Sequence, residues 1–300
     1  MNNIKLSDKL TLSRIIHGYW RLDSWNYSNN EIINLINQCV DIGVTSFDHA
    51  DIYGNHSNEL IFGDALKKIS GVRNKIQIIT KCGIKIASNK FPDRNIGTYD
   101  YSYDHIISSV EQSLKNFNTD YIDLLLLHRP APLLNPHEVA KAFTHLEKSG
   151  KVLNFGVSNF TPEQYSMLQK FTDQKLVTNQ VEISPYCIEH FNNYNMDFFI
   201  KEQIKPMSWS PLAGGKLLLP TDAKSRRINK VLSEISAELS IKNIDTIIYS
   251  WLLKHPAGIM PIVGSSKIER VKNAVEALNI EISDEQWYRI YTASTGAGLP

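Results

Sequence analysis

Residues 122–128 read IDLLLLH, an almost unbroken apolar run that ends at His128. A strand of a parallel sheet with helices on both faces is buried on both sides, so its sequence is apolar at nearly every position. Similar short runs recur along the chain, with segments of helical spacing between them. They predict seven further strands, at residues 15–17, 45–48, 76–81, 153–158, 177–181, 206–210 and 260–263.

The starts of the intervening helices carry a capping pattern. In a capping box, a Ser or Thr side chain accepts a hydrogen bond from the third helical N–H, and a Glu or Gln at that position reaches back. The spacing occurs at Ser28/Glu31, Thr161/Gln164, Ser266/Glu269 and Ser283/Gln286. Between residues 104 and 118, apolar side chains recur at helical spacing, which predicts a further amphipathic helix.

Eight strands that alternate with helices favour one closed (β/α)8 TIM barrel. No Pro/Gly-rich linker divides the chain, so we expect residues 1–300 to form a single domain. The alternative is a doubly wound open sheet, which would normally carry a glycine-rich phosphate-binding turn. Neither G-x-G-x-x-G nor G-x-x-x-x-G-K-[ST] occurs in the sequence. The predicted fold class is therefore α/β, with barrel topology.

The charge balance gives no reason to expect a polyanionic partner. Among 300 residues, 32 Lys and Arg face 31 Asp and Glu, for a formal net charge of +1. Such a balance attracts neither nucleic acid nor an anionic membrane surface. No segment approaches the roughly 20 apolar residues of a membrane span, and the first residues lack the apolar core of a signal peptide. We expect a cytoplasmic protein, monomeric by default, that acts on small molecules.

A metal site is not expected. Cys39, Cys82 and Cys187 are too few and too widely spaced for a disulfide framework or a Cys-rich zinc site. Residues 47–59, FDHADIYGNHSNE, contain two histidines, but neither a cysteine nor an H-x-x-x-H spacing accompanies them. We therefore expect no metal cofactor, a structural role for His49, and a position for His56 in the loop that lines the entrance to the site.

Four polar side chains are predicted to meet at one end of the barrel. Asp48, Lys81 and His128 each close a predicted strand, and Tyr53 lies in the loop just beyond Asp48. In a barrel, reactive groups lie at the face where strands end and loops begin. Each residue alone is more often a cap, a solvated charge or a hydrogen-bonding group. Their shared position predicts a catalytic site.

Six motifs give the chain a family resemblance: FDHADIYG, TKCG, LLLLHRP, GVSNF, WSPLAGG and PIVGSSKIERV. In this order, between about residue 15 and residue 280, they resemble those of an aldo-keto reductase. The resemblance implies a (β/α)8 barrel that uses NADPH to reduce aldehydes or ketones to alcohols. It places the catalytic Asp, Tyr, Lys and His of that family on Asp48, Tyr53, Lys81 and His128.

The chemistry of these four residues agrees with that assignment. Carbonyl reduction needs a hydride donor and a proton for the oxygen, and a phenol such as Tyr53 is a suitable acid. A nearby Lys81 ammonium favours the phenolate, so we expect it to assist Tyr53 near neutral pH. Asp48 can neutralise Lys81, and His128 can hydrogen-bond the substrate carbonyl and orient it.

The resemblance also implies a set of cofactor contacts. Ser158, Asn159 and Gln180 match the residues that hold the carboxamide, and Trp209 takes the place of the aromatic that stacks on the nicotinamide. The loop on the pyrophosphate side corresponds to Ser210, Pro211, Leu212, Gly214 and Lys216. The site for the 2′-phosphate, which favours NADPH over NADH, corresponds to Gly264, Ser265, Ser266, Lys267 and Arg270. At the position where the family often has an asparagine near the adenine, this chain has Ala274.

The substrate pocket and the function class leave alternatives open. Tyr19, Trp20 and Trp25 follow the first predicted strand and are expected to form an aromatic wall. A strand-end lysine such as Lys81 could instead form a Schiff base, as in an aldolase. A third interpretation is a regulatory or redox-sensing subunit that binds NADPH but turns over negligibly.

Overall fold

A closed barrel of eight parallel strands forms the core of the computed structural model, which describes residues 3–299. Two antiparallel hairpins lie outside the barrel: β1 (Asn3–Ser7) with β2 (Leu10–Ser13), and β6 (Ile84–Lys85) with β7 (Thr98–Tyr99). The barrel strands are β3 (Ile16–Gly18), β4 (Ser46–Asp48), β5 (Gln77–Cys82), β8 (Leu124–Leu127), β9 (Phe155–Ser158), β10 (Leu176–Glu182), β11 (Met207–Trp209) and β12 (Met260–Val263).

All eight predicted strands are present, and the predicted (β/α)8 fold class is confirmed. Neighbouring barrel strands follow chain order, and the last strand, β12, pairs with the first, β3, through Ile262 and Ile16. This pairing closes the sheet, so the doubly wound alternative is wrong.

The helices surround the barrel and follow its strands. They are α1 (Asn29–Asp41), α2 (Tyr53–His56), α3 (Asn58–Leu66), α4 (Tyr103–Phe117), α5 (Pro136–Lys148), α6 (Pro162–Phe171), α7 (Glu189–Asn192), α8 (Asn195–Lys201), α9 (Ala223–Glu238), α10 (Ile244–Lys254), α11 (Ile268–Glu276) and α12 (Asp284–Thr295). Within residues 3–299, none of the helices has the length and apolar character needed to span a membrane.

Three of the four predicted capping boxes are present. Ser28, Thr161 and Ser283 each cap a helix in the expected way. The prediction at Ser266 is wrong, because α11 begins one residue later and Lys267 occupies the cap position without a side-chain cap bond. Instead, the hydroxyl of Ser265 accepts a hydrogen bond from the Lys267 N–H at 3.1 Å.

Apolar side chains fill the lower half of the barrel. Leucines from the β1–β2 hairpin pack against residues near the starts of the barrel strands. This cluster contains Leu6, Leu10, Leu12, Ile16, Ile79, Leu124, Leu126, Val177, Met207, Met260 and Ile262. The hairpin and the strand starts together form an apolar plug, which leaves the strand ends as the polar half of the interior.

Strand alternation decides which side chains reach that polar half. On β5, Ile79 belongs to the apolar plug, and Lys81, two residues further on, faces the same side of the strand. On β8, Leu126 lies inward, and His128 follows it two residues later, just past the strand end. Because side chains alternate with a period of two, the inward-facing residues of these strands belong first to the plug and then, at the strand end, to the candidate site.

Candidate active site

Lys81 and Asp48 form a buried ion pair in the upper half of the barrel. The Lys81 Nζ donates to both carboxylate oxygens of Asp48 at 2.8 Å and to the carbonyl oxygen of His49 at 2.6 Å. The side chains of Lys81 and Asp48 are only 1% and 5% exposed. The Nε2 of Gln180 donates to the same carboxylate at 2.8 Å. Both charges therefore have the partners that burial requires.

Tyr53 reaches this ion pair from the loop after β4. Its hydroxyl oxygen lies 3.3 Å from the Nζ of Lys81. Behind it the chain turns through residues 54–56, whose φ angles are 59°, 51° and 64°. Such left-handed angles favour glycine, and a Cβ on Gly54 would lie only 2.0 Å from the Oδ1 of Asn58. The turn thus fixes the backbone position from which the Tyr53 side chain extends toward Lys81.

Burial and neighbouring charges oppose each other at Tyr53 and Lys81. Burial raises the pKa of Tyr53 by more than the Lys81 ammonium lowers it. At Lys81, burial lowers the pKa, but the Asp48 carboxylate and Tyr53 together bring it above its ordinary value. The expected lowering of the Tyr53 pKa by Lys81 is therefore present but smaller than the effect of burial. At neutral pH Tyr53 is a phenol and Lys81 is an ammonium.

The charge of Lys81 also determines whether this residue could form a Schiff base, as in an aldolase. A Schiff base forms when a neutral amine attacks a carbonyl carbon with its lone pair. The raised pKa of Lys81, together with its three fixed oxygen acceptors on Asp48 and His49, keeps that lone pair protonated. The geometry of the site does not favour the aldolase alternative.

His128 faces Tyr53 at the mouth of the barrel. The two rings meet edge to face, with 5.9 Å between their centroids. Burial, and then the charges of Lys81 and Arg129, hold the pKa of His128 well below its ordinary value. The imidazole is therefore neutral and can donate one ring N–H.

A hydrogen-bonded network lies beside the ion pair. The Nδ2 of Asn159 donates to the Oγ of Ser158 at 2.8 Å, and the Oδ1 of Asn159 accepts from the indole Nε1 of Trp209 at 3.0 Å. The Oγ of Ser158 donates to the backbone oxygen of Gln180 at 2.8 Å, and the Gln180 side chain in turn holds Asp48. The structure thus brings together the four residues predicted to hold and face the nicotinamide.

A cleft of about 520 Å³ lies between the start of α11 and helix α1. One wall is formed by residues 266–270, and the other by Tyr27, Glu31, Asn34, Leu35 and Gln38. The ion pair on α11 joins Lys272 to Glu269 at 2.8 Å. Among the described residues, Lys267 and Arg270 have no such partner, so their charges remain available to an anion.

The backbone that leads into this cleft is anchored from the barrel side. The Nε2 of His17 lies 2.8 Å from the backbone carbonyl oxygen of Ser265. The hydroxyl of Tyr27 donates to the backbone carbonyl oxygen of Ser266 at 3.0 Å. Gly264, which precedes them, follows directly after β12. The predicted phosphate-binding residues are therefore neighbours on one rigid stretch of chain.

The predicted loop on the pyrophosphate side follows β11 and turns sharply. Ser210 and Gly214 have left-handed φ angles of 53° and 66°, and the N–H of Gly214 donates to the Oγ of Ser210 at 3.1 Å. The Nζ of Lys216 lies 5.1 Å from the ring centroid of Tyr186. Pro211 is buried and Leu212 is half-buried between these turns. Contact of this loop with a cofactor stays a prediction.

The structure corrects the predicted aromatic wall of the substrate pocket. Tyr19 is 0% exposed and stacks on His49, with 4.8 Å between ring centroids, in the layer between barrel and helices. It faces outward because it alternates with Gly18, which takes the inward position. The prediction that Tyr19 lines the pocket is therefore wrong. Trp20 is 62% exposed and Trp25 is half-buried, and their roles stay predictions.

The residue at the predicted adenine contact of the cofactor site differs from the family pattern. Ala274 is 0% exposed and packs in the apolar layer under α11. The neighbouring Asn273 donates to both carboxylate oxygens of Asp245 at 3.0 Å. Asn273 is therefore engaged with α10 and does not replace the missing asparagine.

His49 and Glu59 support the packing around the site. His49 is enclosed by Tyr19, Phe62 and Phe117. The carboxylate of Glu59 accepts hydrogen bonds from three neutral side chains, those of Thr80, Ser113 and Asn116. Within residues 3–299, no cluster of three or more His, Cys, Asp and Glu side chains has the arrangement of a metal site.

Two charged residues at the mouth were missed as functional candidates. Arg129 follows His128 directly in the LLLLHRP motif, and Glu182 ends β10. Both stand at strand ends, the criterion that identified Asp48 and Lys81. That criterion, applied to every strand, would have found them.

Comparison with known proteins agrees with this geometry. The model of the aldo/keto reductase family matches residues 14–294. The chain is 48% identical to an uncharacterized oxidoreductase, YcsN, of Bacillus subtilis over the full length of both chains. It is 40% identical to a 6-dehydroglucose reductase of Agrobacterium fabrum over 99% of each chain. A solved thermostable aldo-keto reductase, Tm1743, superposes with a TM-score of 0.82 at 23% identity, covering 98% of this chain and 100% of that one.

A closed parallel barrel with this family match defines an oxidoreductase that acts on carbonyl or alcohol groups. The chain belongs to the aldo/keto reductase family. That family generally depends on NADP(H), and its substrates are small carbonyl compounds.

The buried ion pair generates a stability prediction. Lys81→Met leaves Asp48 as an uncompensated buried charge and should lower the free energy of unfolding by about 3 kcal/mol. The double variant with Asp48→Asn should lose less than the sum of the single losses, as measured by urea denaturation. Lys85→Met is the control, because Lys85 pairs with Asp100 at 3.2 Å in a partly exposed position and should cost under about 1 kcal/mol. Additive losses would contradict the coupling.

Proposed function

We propose that this protein reduces aldehydes or ketones to alcohols with NADPH, and that Tyr53 is the proton donor. The observation that carries the proposal is the buried chain of contacts from Asp48 through Lys81 to the phenol of Tyr53. It places a neutral acid beside a fixed cation at the mouth of a barrel. These are the groups that proton delivery to a carbonyl oxygen requires.

The residues present fit a nicotinamide dinucleotide phosphate. Ser158, Asn159 and Gln180 offer amide and hydroxyl groups suited to a carboxamide, and they lie beside the acid. Lys267 and Arg270 line the cleft beside α11 and lack ion-pair partners within residues 3–299, as a phosphate site would require. When bound, the cofactor would supply the hydride.

Each of the four catalytic residues has its own task. Tyr53 transfers its proton to the carbonyl oxygen of the substrate, and the ammonium of Lys81 stabilises the phenolate that remains. Asp48 holds that ammonium in place without competing for the substrate. His128 is neutral and donates a ring N–H to the same carbonyl oxygen, which orients the substrate before reaction.

The relatives suggest where to look for the substrate. Two proteins at 40% and 34% identity are named 6-dehydroglucose reductases. We propose that hydroxylated aldehydes belong in the first substrate panel, beside simple aliphatic and aromatic aldehydes and ketones. Turnover is followed by the consumption of NADPH.

Tyr53→Phe tests the assignment of the acid. It deletes the proton donor and little volume, so turnover should fall by about a hundredfold or more. NADPH affinity should change by less than about twofold, because the ring remains. Tyr99→Phe, on the exposed β6–β7 hairpin, is the control for the same substitution. An equal loss of NADPH affinity would mean that the acid is misplaced, and a wild type that binds NADPH without turnover would favour a regulatory protein.

The raised pKa of Tyr53 predicts how the two reaction directions depend on pH. Reduction needs the phenol, which persists below its pKa, so its kcat/KM should stay nearly flat up to about pH 9. Alcohol oxidation needs the phenolate, so its rate should climb by about tenfold per pH unit over that range. A reduction profile that falls with an apparent pKa near 7 would point to a different acid.

Lys267→Ala tests the phosphate site. Loss of one charge-assisted contact should weaken NADPH binding by about 10- to 100-fold. NADH lacks the 2′-phosphate, so its affinity should change by less than about threefold. Lys272→Ala, on the same helix but paired with Glu269, is the matched control. An equal effect on both cofactors would remove Lys267 from the site.

A further inference from the structure

Arg129 stands at the mouth of the barrel, directly after His128, on a backbone that is held in place. The hydroxyl of Tyr101 accepts from the N–H of Arg129 at 3.0 Å and donates to its carbonyl oxygen at 2.5 Å. Tyr101 is itself only 4% exposed, so these two hydrogen bonds hold the Arg129 backbone firmly. The origin of the Arg129 side chain is therefore fixed beside the candidate site, although the side chain itself is exposed.

The guanidinium of Arg129 lies against the indole of Trp209. Its Cζ is 5.8 Å from the ring centroid, and the indole is held by its hydrogen bond to Asn159 at 3.0 Å. Among residues 3–299, no carboxylate or carbonyl accepts a hydrogen bond from this guanidinium or pairs with its charge. All five of its N–H donors remain free for another molecule.

Glu182 places a carboxylate on the same side of the mouth. It ends β10, and its Cα pairs in register with that of Trp209 on β11. Burial sets the direction of the pKa shifts of Tyr53, His128 and Glu182, and the charge of Arg129 contributes to all three. Arg129 therefore lies within electrostatic reach of both reacting groups and of Glu182, yet no salt bridge joins Arg129 and Glu182 in the part of the chain that the structure describes.

We propose that Arg129 and Glu182 form a donor–acceptor pair that binds the hydroxyl groups of a polyhydroxylated aldehyde and so determines substrate specificity. The inference deepens the proposed carbonyl reduction and rests on it. A hydroxyl group both donates and accepts, so it can satisfy the guanidinium and the carboxylate together. The face of Trp209 beside them offers apolar surface to the C–H groups of such a substrate.

Other substrate classes fit this pair less well. An anionic carbonyl compound would be attracted by Arg129 but repelled by Glu182. A plain aliphatic aldehyde would shield both charged groups from water without replacing their lost hydrogen bonds. A site built to bind a hydroxyl disfavours an analogue that lacks it for this reason. Neutral hydroxylated aldehydes therefore match the mouth best.

The test compares two three-carbon aldehydes, D-glyceraldehyde and propanal, which differ in hydroxyl groups. Arg129→Met should lower kcat/KM for glyceraldehyde by about tenfold or more and change that for propanal by less than about threefold. Glu182→Gln should act in the same selective direction. Arg289→Met is the matched control, because Arg289 pairs with Glu234 and Glu238 where α12 meets the C-terminal half of α9. It should leave the ratio between the two aldehydes unchanged.

Each contrary outcome has a separate meaning. An equal loss with both aldehydes would show that Arg129 acts only on the reacting groups, which overturns the specificity role. Succinic semialdehyde and butanal form a second pair, and a selective loss confined to succinic semialdehyde would assign Arg129 to anionic substrates instead. A wild type that prefers propanal, with variants that leave this preference unchanged, would defeat the specificity proposal alone. A wild type that reduces neither these four aldehydes nor any other member of the panel of aldehydes and ketones would defeat the proposed function as well.

Discussion

The organisation of the mouth depends on one buried ammonium ion, that of Lys81, held above the apolar plug of the barrel. An isolated charge would not stay ionised there, because burial favours the neutral form. Asp48 supplies the counter-charge from the adjacent strand β4, and Gln180 reaches the same carboxylate from β10 on the opposite side of the barrel. Closure of the sheet brings β4 and β10 within reach of one another, so the hydrogen bond from Gln180 to Asp48 exists only in the complete barrel.

Burial has opposite consequences for Lys81 and Tyr53. The cation survives burial because a carboxylate neutralises it, whereas the neighbouring phenol keeps its proton because burial opposes its ionisation. The apolar plug below contributes to both effects, since it keeps the lower interior filled with Leu, Ile and Met side chains. A polar plug would weaken the coupling between Lys81 and Tyr53 by raising the local dielectric constant.

Sequence patterns predicted the strands, and placed their last residues to within one position, because both follow from burial and the side-chain period of two. The same alternation places Tyr19 outside the barrel, whereas the prediction that it lines the pocket rested on its position just after the first strand, next to Trp20. The capping pattern failed at Ser266 because the N–H of Lys267 donates to the hydroxyl of Ser265 in the preceding loop, and the helix begins one residue later. The direction of the Tyr53 pKa shift depends on how completely the fold encloses the phenol, which no local pattern contains.

The left-handed turn behind Tyr53 restricts how this active site can diverge. Three consecutive residues, 54–56, occupy a backbone region that most amino acids avoid, and Gly54 has no space for a side chain. Mutational drift, which loops usually tolerate, is therefore strongly constrained in this one. New substrate preferences would arise more readily through the loops after β5, β8 and β11 than through the turn that carries Tyr53.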